Sequence, residues 1–288
     1  MKNILITGCN GMLGRRFIEL YSSDFNITAL GRNEVTYPVD NVNYKISDYS
    51  SDSLNEFFLK QDVVIHLAAS RLYKGNDCYK ENTFLDAKVF QAAELSNVPH
   101  IIFASTRGVY GGKGPWKEVD AISPDNSYSF GKAQSELLAQ YYSKIKGQRI
   151  TTLRLAQILS DREYEGSLLR TFFDQAAEGI NLNCTVSGIF REYIYLDDAV
   201  SAIKTVIDSD TFGGIYNLGN GESLSIKAIA EIIAETYGVI VQEPVKLKKL
   251  DELSLMDSSL FRSKFKWSPK YTFKEAVIHM AKTRKSDV

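Results

Sequence analysis

Tyr128 and Lys132 stand four residues apart in Tyr128-Ser129-Phe130-Gly131-Lys132, and Thr106 lies upstream in Ala104-Ser105-Thr106. A tyrosine has an ordinary pKa near ~10, so it moves protons at neutral pH only with help. A lysine ammonium one helical turn away, on the same face, gives that help by stabilising phenolate. The pair can protonate a carbonyl oxygen or deprotonate a hydroxyl, and a threonine hydroxyl can hold the reacting oxygen. This is the proton half of redox chemistry at a carbon–oxygen centre. The hydride half needs a carrier, and the chain opens on a site for one. The apolar run Lys2–Thr7 is followed by Gly8, Gly11 and Gly14. Gly8 allows a tight turn, Gly11 lets the backbone approach a pyrophosphate, and Gly14 lets the next helix pack closely. That helix then presents free N–H groups and a partial positive charge to phosphates.

Elements must bring these residues together. Predicted strands at Lys2–Thr7, Asn26–Leu30, Asp62–His66, His100–Ala104 and Ile150–Leu155 alternate with predicted helices at Met12–Tyr21, Ala87–Leu95 and Tyr128–Tyr142. Such alternation is the signature of a parallel sheet wrapped by helices, with ligands at the carboxyl ends of the strands. The second half is less regular. It reads as a helix over Leu168–Ala177, a strand Tyr193–Leu196 feeding a helix from Asp197, and a strand Ile215–Leu218 ending in Gly219-Asn220-Gly221. Ser225 caps a helix running to Tyr237, and a small lobe from Val239 closes with a helix over Phe273–Ala281. Without a linker or repeat, the two lobes are expected to share an interface with a cleft.

Composition narrows the class. At 288 residues the chain can bury one large core, and 44% hydrophobic with 24% charged residues is ordinary for a globular protein. A net charge of -1 points to no nucleic-acid partner. Cys9, Cys78 and Cys184 have neither paired nor metal-ligand spacing, which fits a reducing compartment and small buried side chains, and no metal. The N-terminal apolar run is broken by Gly8, Asn10 and Gly11, and no stretch is long enough to span a bilayer. A cytoplasmic protein is expected.

The Gly-x-x-Gly-x-x-Gly spacing with Tyr-x-x-x-Lys downstream resembles the short-chain dehydrogenase/reductase superfamily. Its extended, nucleotide-sugar-modifying branch is resembled by Val64-Ile65-His66-Leu67-Ala68-Ala69, Gly108-Val109-Tyr110-Gly111, the run Arg191–Asp198, Gly214–Gly219 and Lys266-Trp267-Ser268-Pro269. The resemblance implies a Rossmann-type doubly wound α/β sheet with a small mixed C-terminal substrate lobe. We expect a dinucleotide-binding domain over 1–165, with segments near 193–218 returning to it, and a substrate lobe over 166–288.

The resemblance also assigns residues. Thr106, Tyr128 and Lys132 are expected to be catalytic, with Lys132 also reaching the nicotinamide ribose. The cofactor is expected along Gly8, Asn10, Gly11, Met12, Leu13 and Gly14, with Asp48 and Tyr49 at adenine and Leu67, Ala68 and Ala69 along its backbone. Asn82 is placed near the cofactor or as a helix cap, and His66 is read as a structural histidine. Leu30-Gly31-Arg32-Asn33 has no acid at the end of the second strand, and Arg32 can meet a 2′-phosphate, so NADP(H) is favoured over NAD(H). Arg191 is expected on a nucleotide-sugar diphosphate and Gln157 on the substrate. Relatives that dehydrate sugars usually carry Asp-Glu after the Ser/Thr, but here Arg107 and Gly108 follow Thr106, which disfavours a 4,6-dehydratase. Arg107 reads as a solvent-facing loop charge in preference to a substrate contact. The favoured function is reduction of a 4-keto nucleotide sugar; a C4 epimerase and a non-catalytic dinucleotide-binding regulator are the alternatives. Surplus apolar residues on the helices near 87–95 and 128–142 predict a homodimer.

Overall fold

The computed structural model describes residues 1–70, 78–164, 166–242 and 248–286. Its centre is β1 (Asn3–Thr7), in which every residue after Asn3 is buried. Around it lie β2 (Asn26–Gly31), β3 (Asn43–Ile46), β4 (Val63–His66), β5 (His100–Thr106), β6 (Ile150–Leu155) and, from far along the chain, β10 (Gly214–Leu218). These seven strands pair in parallel in the order β10-β6-β5-β4-β1-β2-β3. Buried runs without alternation, such as Val63–His66, follow from helices covering both faces.

Side chains alternate between those faces. Leu5, Val64, Ile101 and Phe103 belong to a core with α2 (Ser51–Phe58), α3 (Cys78–Leu95) and α4 (Ser127–Ile145). Ile4, Ile6, Ile65 and Ile102 point the other way, to α1 (Met12–Tyr21) and α6 (Leu196–Asp208). That second core continues into the C-terminal lobe through Ile229 and Val277. The lobe holds β7 (Gln157–Leu159), α5 (Leu168–Ala177), β8 (Leu182–Asn183), β9 (Val186–Tyr195), β11 (Ser223–Ser225), α7 (Ile226–Tyr237), β12 (Val241–Gln242), β13 (Lys248–Leu253), α8 (Ser259–Phe265) and α9 (Phe273–Ser286). β9 is its spine, pairing with β7, β11 and β13.

Among the elements that differ from the sequence expectation, three bear on how burial is read. Helix α3 begins at Cys78 rather than Ala87, because its first turns bury the polar side chains of Asn82 and Asp86 and show no apolar stripe. Strand β9 runs over Val186–Tyr195, far longer than Tyr193–Leu196, and Leu196 already belongs to α6. Helix α2 was not anticipated, since it buries only Leu54 and Phe58. Among the described residues no helix is long and apolar enough to cross a membrane.

Candidate active site

The sheet order reverses at β1, and two adjoining cavities open at the carboxyl ends of the strands. The first, about 380 Å³, passes Gly31, Arg32 and Asn33 after β2, the Gly8–Gly14 turn after β1, and Leu67, Ala68 and Ala69 after β4. It ends at Thr106, Tyr128 and Lys132. The second, about 330 Å³, shares Thr106, Tyr128, Leu155 and Ala156 with the first. Its remaining wall includes Arg107, Trp116, Gln157, Arg191 and Glu252. Thr106 and Tyr128 therefore stand where the two spaces meet.

The glycine turn is built for a close ligand. Gly8 has φ +75°, and a Cβ there would lie 2.7 Å from the Ala68 amide nitrogen. Its N–H donates to Leu30 O at 3.0 Å and to the Tyr49 hydroxyl at 3.2 Å, which itself donates to Leu30 O. Tyr49 thus fixes the turn as well as lining the cavity. Gly11 is the N-cap of α1, with no side-chain cap and no acid in the first turn, so the leading N–H groups remain open to an anion. Among the described residues the first cavity is lined by no Asp or Glu; its charges are Arg32 and Lys132. Arg32 is exposed, its guanidinium 5.8 Å from the Tyr49 ring centroid. The open helix start and the absence of carboxylates fit a dinucleotide pyrophosphate.

Two residues expected at the cofactor stand outside this wall. Asp48 is exposed and accepts from Ser50 N at 2.8 Å. Asn82 is buried and clamps Ser70, accepting from its N at 2.6 Å and donating to its O at 3.0 Å. Gln157 and Arg191 do line the second cavity, and Arg191 pairs with Glu252. Arg107 is a correction: it is half-buried in the same wall rather than facing solvent, because Thr106 caps the short turn Arg107–Tyr110 and directs it inward.

Helix α4 sets the chemical end. Asn126 caps it through Ser129 N at 2.9 Å, and Gly131 allows α3 to approach, since a Cβ there would lie 2.8 Å from Tyr79 Cα. Tyr128 is half-buried, and its hydroxyl makes no hydrogen bond among the described residues. Thr106 Oγ1 accepts from Gly108 N at 3.1 Å, leaving its own proton to donate. Lys132 is 2% exposed, its ammonium 4.5 Å from the Phe103 ring centroid and 3.4 Å from Asp86 Oδ2.

Asp86 gave no signal in the sequence beyond lying four residues after Asn82. Its other oxygen meets His66 Nε2 at 2.7 Å, and His66 Nδ1 meets Thr7 Oγ1 at 2.7 Å. The Thr7 oxygen already accepts from Leu67 N and Ala68 N, so its proton goes to Nδ1 and the imidazole carries its proton on Nε2, donating to Asp86. Burial holds His66 below its ordinary pKa even beside Asp86, so it is neutral. Burial alone would raise the Asp86 carboxyl, but Lys132 and the His66 hydrogen bond outweigh it and hold it below the usual range. One carboxylate thus connects Lys132 to the strand that carries the glycine turn.

A family model described as the NAD dependent epimerase/dehydratase family matches residues 4–219. The chain is 26% identical over 254 residues to the dTDP-4-dehydro-6-deoxyglucose reductase of Escherichia coli, covering 80% of each chain. It is 25% identical over 265 residues to a dTDP-glucose 4,6-dehydratase of Streptomyces griseus, covering 82% of this chain and 79% of that one. The crystal structure of a UDP-N-acetylglucosamine 4-epimerase from Bacillus cereus superposes with a TM-score of 0.88 at 26% identity, covering 99% of this chain and 97% of the other.

Proposed function

The chain belongs to the NAD-dependent epimerase/dehydratase family, and from that premise we propose that it reduces the 4-keto group of a nucleotide sugar with NADPH. The observation that carries this reading is the first cavity's wall: Arg32 at the end of β2, and no carboxylate among the described lining residues. An acid there would accept from the ribose hydroxyls of NAD, whereas an arginine suits the 2′-phosphate of NADP. A bound reduced nicotinamide supplies the hydride. Tyr128 gives its phenolic proton to the carbonyl oxygen, which the Thr106 hydroxyl holds by donating to it. The Lys132 ammonium stabilises the phenolate that results, and Asp86, 3.4 Å away, holds that ammonium in place. Arg191 and Gln157 face the nucleotide-sugar side.

Dehydration is disfavoured. Arg107 and Gly108 place no carboxylate directly after Thr106, and a side chain at Gly108 would run into Ser129 Oγ. A C4 epimerase is the second reading, favoured by the identity to the Bacillus cereus UDP-N-acetylglucosamine 4-epimerase. The test is to mix purified protein with NADPH or NADH and the 4-keto-6-deoxyglucose derivatives of dTDP and UDP. One NADPH consumed per sugar reduced supports the reductase. A cofactor that stays bound, with C4 inversion of UDP-glucose and no net consumption, supports the epimerase instead.

A homodimer belongs to this proposal. Of the apolar residues on the two helices, Val89, Phe90 and Ala93 are buried within the chain, and Leu138 and Tyr142 pack against the same core. What remains exposed is a stripe of Phe130, Leu137, Tyr141 and Ile145 on α4, with Phe84 and Leu95 on α3. Leu137→Glu with Tyr141→Glu is expected to leave a monomer by light scattering; a wild type monomeric at high micromolar concentration removes the interface.

A further inference from the structure

The reaction proposed above makes no use of Arg107, the one cation among the described lining residues of the second cavity that forms no ion pair. Arg107 follows Thr106 directly and is half-buried in that wall. Among the described residues its guanidinium donates no hydrogen bond and forms no ion pair. The charged groups acting on it are Arg191, Asp125 and Glu192. Arg191 repels it and is itself paired with Glu252. Asp125 is exposed and holds the Asn126 amide. Glu192 is buried and accepts from Gly221 N and Met256 N, both at 2.8 Å. Burial first, then Arg191, lowers the Arg107 pKa, yet a guanidinium stays protonated at neutral pH. A cation drawn out of water without a partner weakens the folded state, so packing does not account for its presence.

We propose that Arg107 is a specificity-determining residue whose fork binds an anionic oxygen pair of the substrate, held beside the reacting carbon and separate from the group that meets Arg191. The inference rests on the nucleotide-sugar reading. The position follows from the chain: Thr106, one residue away, stands at the junction of the two cavities. A planar bidentate donor selects carboxylate or phosphate. In a nucleotide sugar the carboxylate of a uronic acid, borne on the carbon next to C4, has both that chemistry and that position, whereas the diphosphate, borne on C1 across the ring, has the chemistry alone.

Calorimetry with NADP present separates them. UDP and dTDP choose the base; the glucose and glucuronate derivatives of that base are then titrated into wild type, Arg107→Met and Arg107→Lys. A wild-type preference for glucuronate of about tenfold or more, erased in Arg107→Met, assigns the sugar carboxylate. An equal loss of about tenfold or more for the nucleoside diphosphate and both sugars places the fork on the diphosphate instead and overturns the inference. In either case ligand-free Arg107→Met should melt about 2 °C or more above wild type, because an unpaired charge has gone, and Arg107→Lys should fall between in affinity. Unchanged affinities in Arg107→Met, or a lower melting temperature, overturn the inference and leave the nucleotide-sugar reading standing. A wild type that binds neither nucleoside diphosphate nor either sugar overturns that reading as well.

Discussion

Helix α4 carries two buried ion pairs one turn apart, and they differ in how completely they are closed. Glu136, 1% exposed, accepts from Arg154 Nη2 at 2.7 Å and Nε at 3.1 Å and from Ser105 Oγ at 2.5 Å. The other arm of Arg154 donates to Tyr110 OH at 2.8 Å, and Tyr110 donates to Asn217 Oδ1 at 2.6 Å. Asn217 passes the chain to Trp116 O and Asp257 O, so this pair ties β6 and β10 to the C-terminal lobe. Lys132 and Asp86 meet at 3.4 Å with a single ammonium contact, and Lys132 borders the cofactor cavity. The first pair has its donors assigned within the protein. The second leaves ammonium donors for a ligand. A closed pair holds elements together, whereas a pair left slack beside a cavity keeps a charge ready for chemistry.

The largest effect expected from this contrast is on stability. Glu136→Ala strands Arg154 in the interior and should lower unfolding free energy by about 3–5 kcal/mol. Urea titration reads it, and a wild-type midpoint would mean that the closed pair contributes little. Tyr128→Phe should do the reverse, slowing the chemical step at least ~100-fold while stability stays within about 0.5 kcal/mol, since the hydroxyl has no partner in the described protein. Near-normal turnover in single-turnover kinetics with NADPH would remove Tyr128 as the acid.

Asp86→Asn is expected to fall between. It keeps an acceptor for His66 but sets an amide donor or a neutral oxygen against Lys132, lowering stability by about 1–3 kcal/mol. NADPH affinity, followed by fluorescence, should drop more than in Glu136→Ala; the opposite order would dissolve the distinction between the pairs. The pH dependence has a definite sign. The folded Asp86 pKa is depressed, so its contribution is present above the unfolded value near ~3.9 and is lost as pH falls through the folded one. The gap between wild type and Asp86→Asn should therefore close in acid, below that range. The smallest change in stability is expected at Arg32, which is exposed at the far end of the cavity. Arg32→Ala should narrow the preference for NADPH over NADH by about 1–3 kcal/mol, with little effect on folding. Tighter binding of NADH to the wild type, by calorimetry, would favour the epimerase.

Much of this was legible in the chain. The glycine turn, the Tyr128/Lys132 spacing and the strands of the main sheet are local patterns, because φ preferences, helical pitch and continuous apolar runs are written in neighbouring residues. The residues lining the first cavity follow from them, since parallel strands bring their carboxyl ends together. What only the tertiary structure decided are long-range pairings. Nothing local joins Asp86 to Lys132 across 46 positions, or Arg154 to Tyr110 across 44. The first turns of α3 escaped notice for the same reason: Asn82 and Asp86 are buried because Ser70, His66 and Lys132 satisfy them, and periodicity reads burial only from apolar side chains. Arg107 is the clearest case. As a sequence position it is a loop charge or a substrate contact, and only the fold reveals that the loop turns inward and that Arg107 stands beside Thr106 with no ion pair among the described residues.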